Sequence, residues 1–168
     1  KNKLMGMVQS YGNAEQLYNV GCLGKIEDFK ETRDGRILVN LSGLSRFEII
    51  NEIDNSKLYR EFEVKFYKFR NDLSADNENI LSETQIPVLF EKTKIFFKKF
   101  GLFLNWKELE KLPPAQQVNT LAMISPISNE EKQKLLETIT SNDKVKILSE
   151  IIEFYLHNNN SESNTIIK

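Results

Sequence analysis

The sequence predicts an α+β protein with segregated layers: a twisted, mostly antiparallel β pseudo-barrel first, and a helical subdomain second. Three observations predict it. Two alternating apolar/polar runs flank Asp34-Gly35, a strong short-range hairpin signal. Glu61 to Phe69 alternates with a period of two, as a half-buried antiparallel strand does. From Ile86 onward the apolar residues recur at helical spacing. The divisions read as a β subdomain over 1–70, a linker over 71–85, a helical subdomain over 86–157 and a disordered tail over 158–168.

Each element has its own signal. Leu4 to Val8 is a short apolar strand, and Tyr11 to Glu15 a polar loop. Leu17 to Phe29 and Arg36 to Ile50 are the hairpin arms; in the second, Ile37, Val39 and Leu41 point one way and Leu38 and Asn40 the other. Gly21, Gly24 and Gly43 fall where strands bend, bulge or meet a neighbouring backbone. Asn51 to Lys57 reads as loop. In the next strand Phe62, Val64 and Phe66 share one face and Glu61, Glu63 and Lys65 the other.

The polar run from Asn71 to Glu83 breaks this pattern. Ile86, Leu89, Phe90, Phe96, Phe97 and Phe100 then form an apolar stripe stopped by Gly101. Asn105 with Glu108 is a capping-box pattern opening a short helix that ends before Pro113. Pro114 suits the first position of the next helix, which Ser125-Pro126 ends. Ser128 and Glu131 repeat the capping box, with Leu135, Leu136 and Ile139 inward. A last helix from about Asn142 to His157 places Val145, Leu148, Ile152 and Tyr155 on its core face.

Composition narrows the function. A chain of 168 residues makes one domain or two small subdomains and can bury roughly 70% of its unfolded surface. No apolar run approaches the roughly 20 residues of a membrane helix. Twenty-three basic and twenty-four acidic residues leave a charge of −1, against a general phosphate-backbone binder. The single Cys22 precludes an internal disulfide and fits a reducing compartment, so a cytoplasmic location is expected.

Few residues offer chemistry. The lone His157 lies near the polar end and reads as solvated; Cys22 reads as a small buried hydrophobe rather than a nucleophile. Glu27-Asp28 and Glu130-Glu131 are sequence neighbours that make no acid/base couple. Lys92, Lys94, Lys98 and Lys99 around Phe96-Phe97 could touch RNA or an anionic surface, but read first as the wet face of an amphipathic helix. Tyr59, Tyr67 and Phe69 are aromatic positions outside the Phe62–Val64–Phe66 alternation. They suit an apolar contact surface for peptide, or packing against neighbouring elements. No cofactor or metal is expected.

This order of signals resembles the LON substrate-binding domain, the N-terminal domain of ATP-dependent Lon proteases and also a free-standing bacterial protein. The matching residues are Gly6-Met7, Val20-Gly21-x-x-Gly24-x-Ile26, Asp34-Gly35, Leu41-x-Gly43-x-x-Arg46-Phe47 and Tyr59-Arg60. In the helical part they are Val118 to Met123, Pro126 and Glu131-Lys132-Gln133-x-x-Leu136-Glu137. Gly21, Gly24, Gly35, Gly43 and Arg46 would be the family's structural motif. The similarity spans about residues 4 to 157 and favours the free-standing form. The family's opening Phe-Pro-Leu strand and the turn into a helix that follows it have no counterpart here, so the chain is expected to be a fragment.

The resemblance implies non-catalytic recognition of unfolded or tagged polypeptides, as an adaptor or in support of a separate protease or chaperone. Lon-type chemistry would need a Gly-x-x-x-x-Gly-Lys-Ser/Thr loop and a serine–lysine dyad; the loop motif occurs nowhere, and no Ser–Lys pair stands in a nucleophile setting. An RNA-binding PUA-like module is the alternative, and a purely self-associating structural protein the third. No membrane partner is expected, nucleic acid is disfavoured, and neither client nor oligomeric state is legible.

Overall fold

The computed structural model describes residues 3–11, 16–73 and 85–158. The chain divides into two compact units, Lys1–Asn77 and Glu78–Lys168. Strands precede helices, so the expected α+β class is what the chain adopts.

The first unit holds β1 (Leu4–Met7), β2 (Ser10–Tyr11), β3 (Gln16–Leu17), β4 (Val20–Glu31), β5 (Ile37–Ile53) and β6 (Glu61–Lys65). β1, β4, β5 and β6 form an antiparallel sheet in the order β1-β4-β5-β6, while β2 and β3 make a separate two-stranded ribbon. Leu17 therefore belongs to that ribbon, and the first hairpin arm starts at Val20. β4 and β5 pair from Val20↔Glu48 out to Glu31↔Ile37. At the turn Gly35 donates its N–H to Thr32 O at 3.0 Å, and Thr32 donates to Arg36 O at 2.8 Å. Gly35 sits at φ +80°, the left-handed conformation for which glycine carries no side-chain penalty. A type I turn with a glycine bulge closes the hairpin.

Register shifts interrupt the sheet at Leu23/Gly24 and Ile26/Asp28 in β4, and at Ile49/Asn51 in β5. The first lies where Gly24 faces Gly43, with Leu44 the extra residue of β5. Gly21 serves close approach. A Cβ there would lie 2.6 Å from the Met7 carbonyl oxygen and 2.7 Å from Phe47 Cζ. Among the described residues of this unit the buried large apolar ones are Val20, Phe47 and Phe69, with the Phe66 ring edge-on to Phe47 at 6.4 Å.

Two strand boundaries differ from expectation. β5 continues through Asn51 to Ile53, because cross-strand pairing with Glu61–Glu63 holds those polar residues extended. The following strand stops at Lys65, and Tyr67–Leu73 winds into a 3-10 helix instead of continuing to Phe69. The reason is tertiary: Asp72 on that helix accepts hydrogen bonds from Arg46 of β5. Near the hairpin tip both predicted faces of β5 are solvent-facing, with Ile37, Leu38 and Val39 all exposed.

The second unit holds α1 (Gln85–Lys99), α2 (Trp106–Leu109), α3 (Pro114–Ile124), α4 (Asn129–Glu137) and α5 (Ser141–Asn158). α1 ends in a Schellman motif, with Leu102 N–H on Phe97 O at 2.8 Å and Gly101 N–H on Lys98 O at 3.3 Å. Asn105 caps α2, Pro114 opens α3, and the Ser128/Glu131 box caps α4 with both reciprocal bonds present. One apolar cluster joins Leu89, Phe96, Phe97, Leu121, Leu148 and Ile152, among others. Ile139 is not inward: α4 ends at Glu137, and Ile139 is exposed beyond its cap. Of the interval read as a linker, Asn71–Leu73 close the 3-10 helix and Gln85 opens α1; residues 74–84, like the tail from 159 on, lie outside the described residues.

Candidate functional site

The aromatic trio singled out from the sequence is not one patch. Tyr59 precedes β6 and Tyr67 follows it, both well exposed. The five residues of β6 hold them apart by about 17 Å or more at ~3.4 Å per residue. Phe69 is only 1% exposed, with the Arg46 guanidinium 4.4 Å over its ring and Lys68 Nζ at 5.5 Å. It packs, and offers no surface to a ligand.

Around Tyr59 the chain builds an open cleft of about 400 Å³, lined by residues from Glu52 to Arg60 that include Ile53, Asn55, Leu58 and Tyr59. The end of β5 and the loop leading into β6 supply its walls. Arg60 crosses to Glu52 in a two-pronged pair, Nε to Oε1 and Nη2 to Oε2, each at 2.6 Å. Its guanidinium also lies 5.1 Å from the Phe62 ring centre. Asn55 ties the loop down: its Oδ1 accepts from Lys57 N–H at 2.8 Å and its Nδ2 donates to Ile53 O at 3.2 Å. Lys57 pairs with Glu61 and stands 5.4 Å over the Tyr59 ring.

The electrostatics are those of paired charges. The Arg60 hydrogen bond holds the Glu52 carboxyl below its usual range, and the Glu61 hydrogen bond raises the Lys57 ammonium above its own. The polar rim is thus internally satisfied. Leu58 and Tyr59, by contrast, stand in solvent, and Ile53 is half exposed. Such a site can bury an apolar side chain and has no group poised for bond making. Sequence reasoning singled out Tyr59 and missed Leu58 and Ile53. The available signal was an isolated Leu-Tyr pair inside a polar loop.

Of the remaining sequence candidates, Lys98 and His157 are exposed, and the others pair or pack. Lys92 pairs with Glu153 and donates to Ser149 Oγ at 2.8 Å. Lys94 pairs with Glu91 at 2.8 Å and lies 5.6 Å over Trp106. Lys99 donates to the carbonyls of Tyr155 and Leu156 at the end of α5. These lysines stitch α1 to its own unit. Burial, and Asp72 after it, raise the Cys22 thiol, with Arg46 opposing; a half-buried neutral thiol results. His157 is exposed in the last turn of α5. Gly24 and Gly43 flank the first bulge, and a Cβ at either would meet only ordinary contacts. Among the described residues no group of three His, Cys, Asp or Glu side chains could hold a metal ion, and no helix is long and apolar enough to cross a membrane.

Comparison with known proteins agrees with this picture. The family model of the ATP-dependent protease La (LON) substrate-binding domain matches residues 2–153. The chain is 24% identical over 151 residues to a Lon protease of Heliobacterium modesticaldum, covering 83% of this chain and 17% of that protein. It is 28% identical over 144 residues to the Lon protease of Buchnera aphidicola, covering 83% and 18%. The chain thus spans under a fifth of the length of these relatives. Among solved structures, a Lon N-terminal domain protein from Xanthomonas campestris aligns with TM-score 0.58 and 17% identity, over 86% of this chain and 74% of that one. The N-terminal domain of a Mycobacterium avium complex Lon protease aligns with TM-score 0.58 and 15% identity, over 88% and 77%. These structures share its fold.

Proposed function

Because this chain belongs to the family of the ATP-dependent protease La (LON) substrate-binding domain, we propose that it is a non-catalytic recognition module for unfolded or tagged polypeptides. It would serve as an adaptor or support a separate protease or chaperone, in the cytoplasm. One observation carries the reading at the level of residues: β6 is an edge strand with Tyr59 at one end and Tyr67 at the other. An extended segment laid along β6 gains main-chain hydrogen bonds from the edge and buries an apolar side chain among Ile53, Leu58 and Tyr59. The edge is short and carries Glu61, Glu63 and Lys65, which discourages indiscriminate pairing. Apolar anchoring in the cleft therefore decides what stays bound, and affinity is low and side-chain tolerant.

The test is fluorescence anisotropy of a labelled, reduced and alkylated polypeptide titrated with the chain. Binding is expected in the micromolar range, with Leu58→Ser/Tyr59→Ala weakening it about tenfold, or ~1.4 kcal/mol. Tyr67→Ala weakens it less. Both tyrosines are exposed, so the variants stay folded. Absence of binding, or variants that bind as the parent does, refutes the reading.

A further inference from the structure

β6 and the end of β5 turn one face to solvent, and the side chains on it follow an order. Cross-strand partners share a face: Ile53 stands opposite Glu61, Asn51 opposite Glu63 and Glu48 opposite Lys65. The register shift between Ile49 and Asn51 makes Ile50 the extra residue and turns Glu48 to the same side as Asn51 and Ile53. Ile53, Asn51, Glu63 and Lys65 are all exposed, whereas Phe62 and Val64, on the other face, are partly covered.

The charges on this face are compensated to different degrees. Glu61, beside the cleft, is paired with Lys57. Glu63 is answered by a neutral amide, accepting from Asn51 Nδ2 at 3.1 Å. Lys65 and Lys68 both turn to one carboxylate, Glu48, at 3.8 and 3.4 Å. Two ammonium groups on one carboxylate leave a surplus of positive charge. From the cleft outward the face therefore reads apolar, negative, positive, in steps of about 7 Å, two strand rises of ~3.4 Å each.

On the peptide reading proposed for this site, we infer that it selects clients by charge order. An apolar residue sits in the Ile53–Leu58–Tyr59 cleft, a basic residue two positions away meets Glu63, and an acidic residue four positions away meets Lys65 and Lys68. An extended segment turns every second side chain to the same side with the same rise, so its residues meet these groups one for one. The intervening residues face away and are free to vary. The opposite order sets an acid against Glu63 and a base against the two lysines, and like charges face to face are destabilising. Apolar residues abound in unfolded chains, so charge order decides which stretch is held.

Two end-capped peptides of identical composition test this. Glu-Ser-Lys-Ser-Phe-Ser-Lys-Ser-Glu carries the matched order and Lys-Ser-Glu-Ser-Phe-Ser-Glu-Ser-Lys the swapped one. Each sequence reads the same from both ends, so binding direction does not enter. Titrated into the chain and followed by the amide NMR shifts of β5 and β6, the matched peptide should bind about tenfold more tightly at low salt. The swap exchanges two exposed attractions for two repulsions, each small on its own. The ratio should fall toward one at ~0.5 M NaCl. Glu63→Gln/Lys65→Gln, at exposed positions, should remove most of it and leave the fold intact. Equal binding of both peptides, or a ratio that survives high salt or the double variant, overturns the charge order and leaves the cleft reading standing. If neither peptide binds but the alkylated polypeptide does, the charge order is likewise overturned. If none of the three binds, the cleft reading fails and the charge order falls with it.

Discussion

Arg46 of β5 holds Asp72 of the 3-10 helix from three nitrogens: Nε to Oδ2 at 2.8 Å, Nη2 to Oδ1 at 2.8 Å and the backbone N–H to Oδ2 at 3.0 Å. The side chains are 14% and 23% exposed, and the guanidinium also roofs Phe69. This pair fixes the segment after β6 against the sheet. Asp72→Asn keeps the shape but removes the charge, leaving Arg46 poorly compensated in a largely desolvated place. The expected loss is about 1–3 kcal/mol for the β unit. Hydrogen exchange at β5 and 3-10 amides reads it directly, and Arg46→Lys, which cannot reproduce the fork, recovers little.

Gly21 and Gly24 differ although both sit in β4. At Gly21 an added methyl meets a backbone oxygen at 2.6 Å, which a side-chain rotation cannot relieve; at Gly24 the nearest atom is Leu41 Cβ at 3.4 Å. Gly21→Ala should cost about 1–3 kcal/mol in overpacking, while Gly24→Ala is tolerated. Urea unfolding followed by hydrogen exchange of the β1–β4 ladder compares the two.

Tyr155 of α5 donates to Glu131 Oε2 at 2.9 Å, and the same oxygen accepts from Ser128 N–H at 2.8 Å. Burial chiefly, and Glu131 next, raise the phenol above its ordinary value. A group whose folded pKa lies above its unfolded one favours the protonated form on folding. Its contribution is whole below the unfolded pKa of about 10 and is lost as pH rises through the folded value. The helical unit should therefore weaken above about pH 10, and Tyr155→Phe should remove that part of the pH dependence. Urea titrations from pH 8 to about 11.5, followed by Trp106 fluorescence, check it.

The capping box itself supplies a further expectation. Ser128→Ala deletes the acceptor for Glu131 N–H, a bond of 3.2 Å. The cost should be about 1 kcal/mol, and Ser128→Asp should restore most of it. Thermal unfolding monitored at Trp106 distinguishes the two substitutions.

Much of this was legible along the chain because the signals are local. Asp34-Gly35 made the hairpin, and the helix starts at Asn105, Pro114 and Ser128 are where caps and a proline put them. A cap or turn depends on residues three or four apart, so its energy is written in the sequence. The family resemblance was legible for the same reason, since glycines at a close approach, a bulge and a turn leave a fixed spacing.

What the tertiary structure alone decided is non-local. The alternation of Glu61–Phe69 predicts one strand, but Asp72 reaching back 26 residues to Arg46 bends the chain after Lys65 and buries Phe69. Period-two patterning says which side chains share a face of β5, but not whether anything covers that face. At the hairpin tip nothing among the described residues does, so Ile37, Leu38 and Val39 stand in water. Periodicity is a property of neighbours in sequence; burial and edge exposure depend on which distant strands stop short, and only the folded sheet settles that.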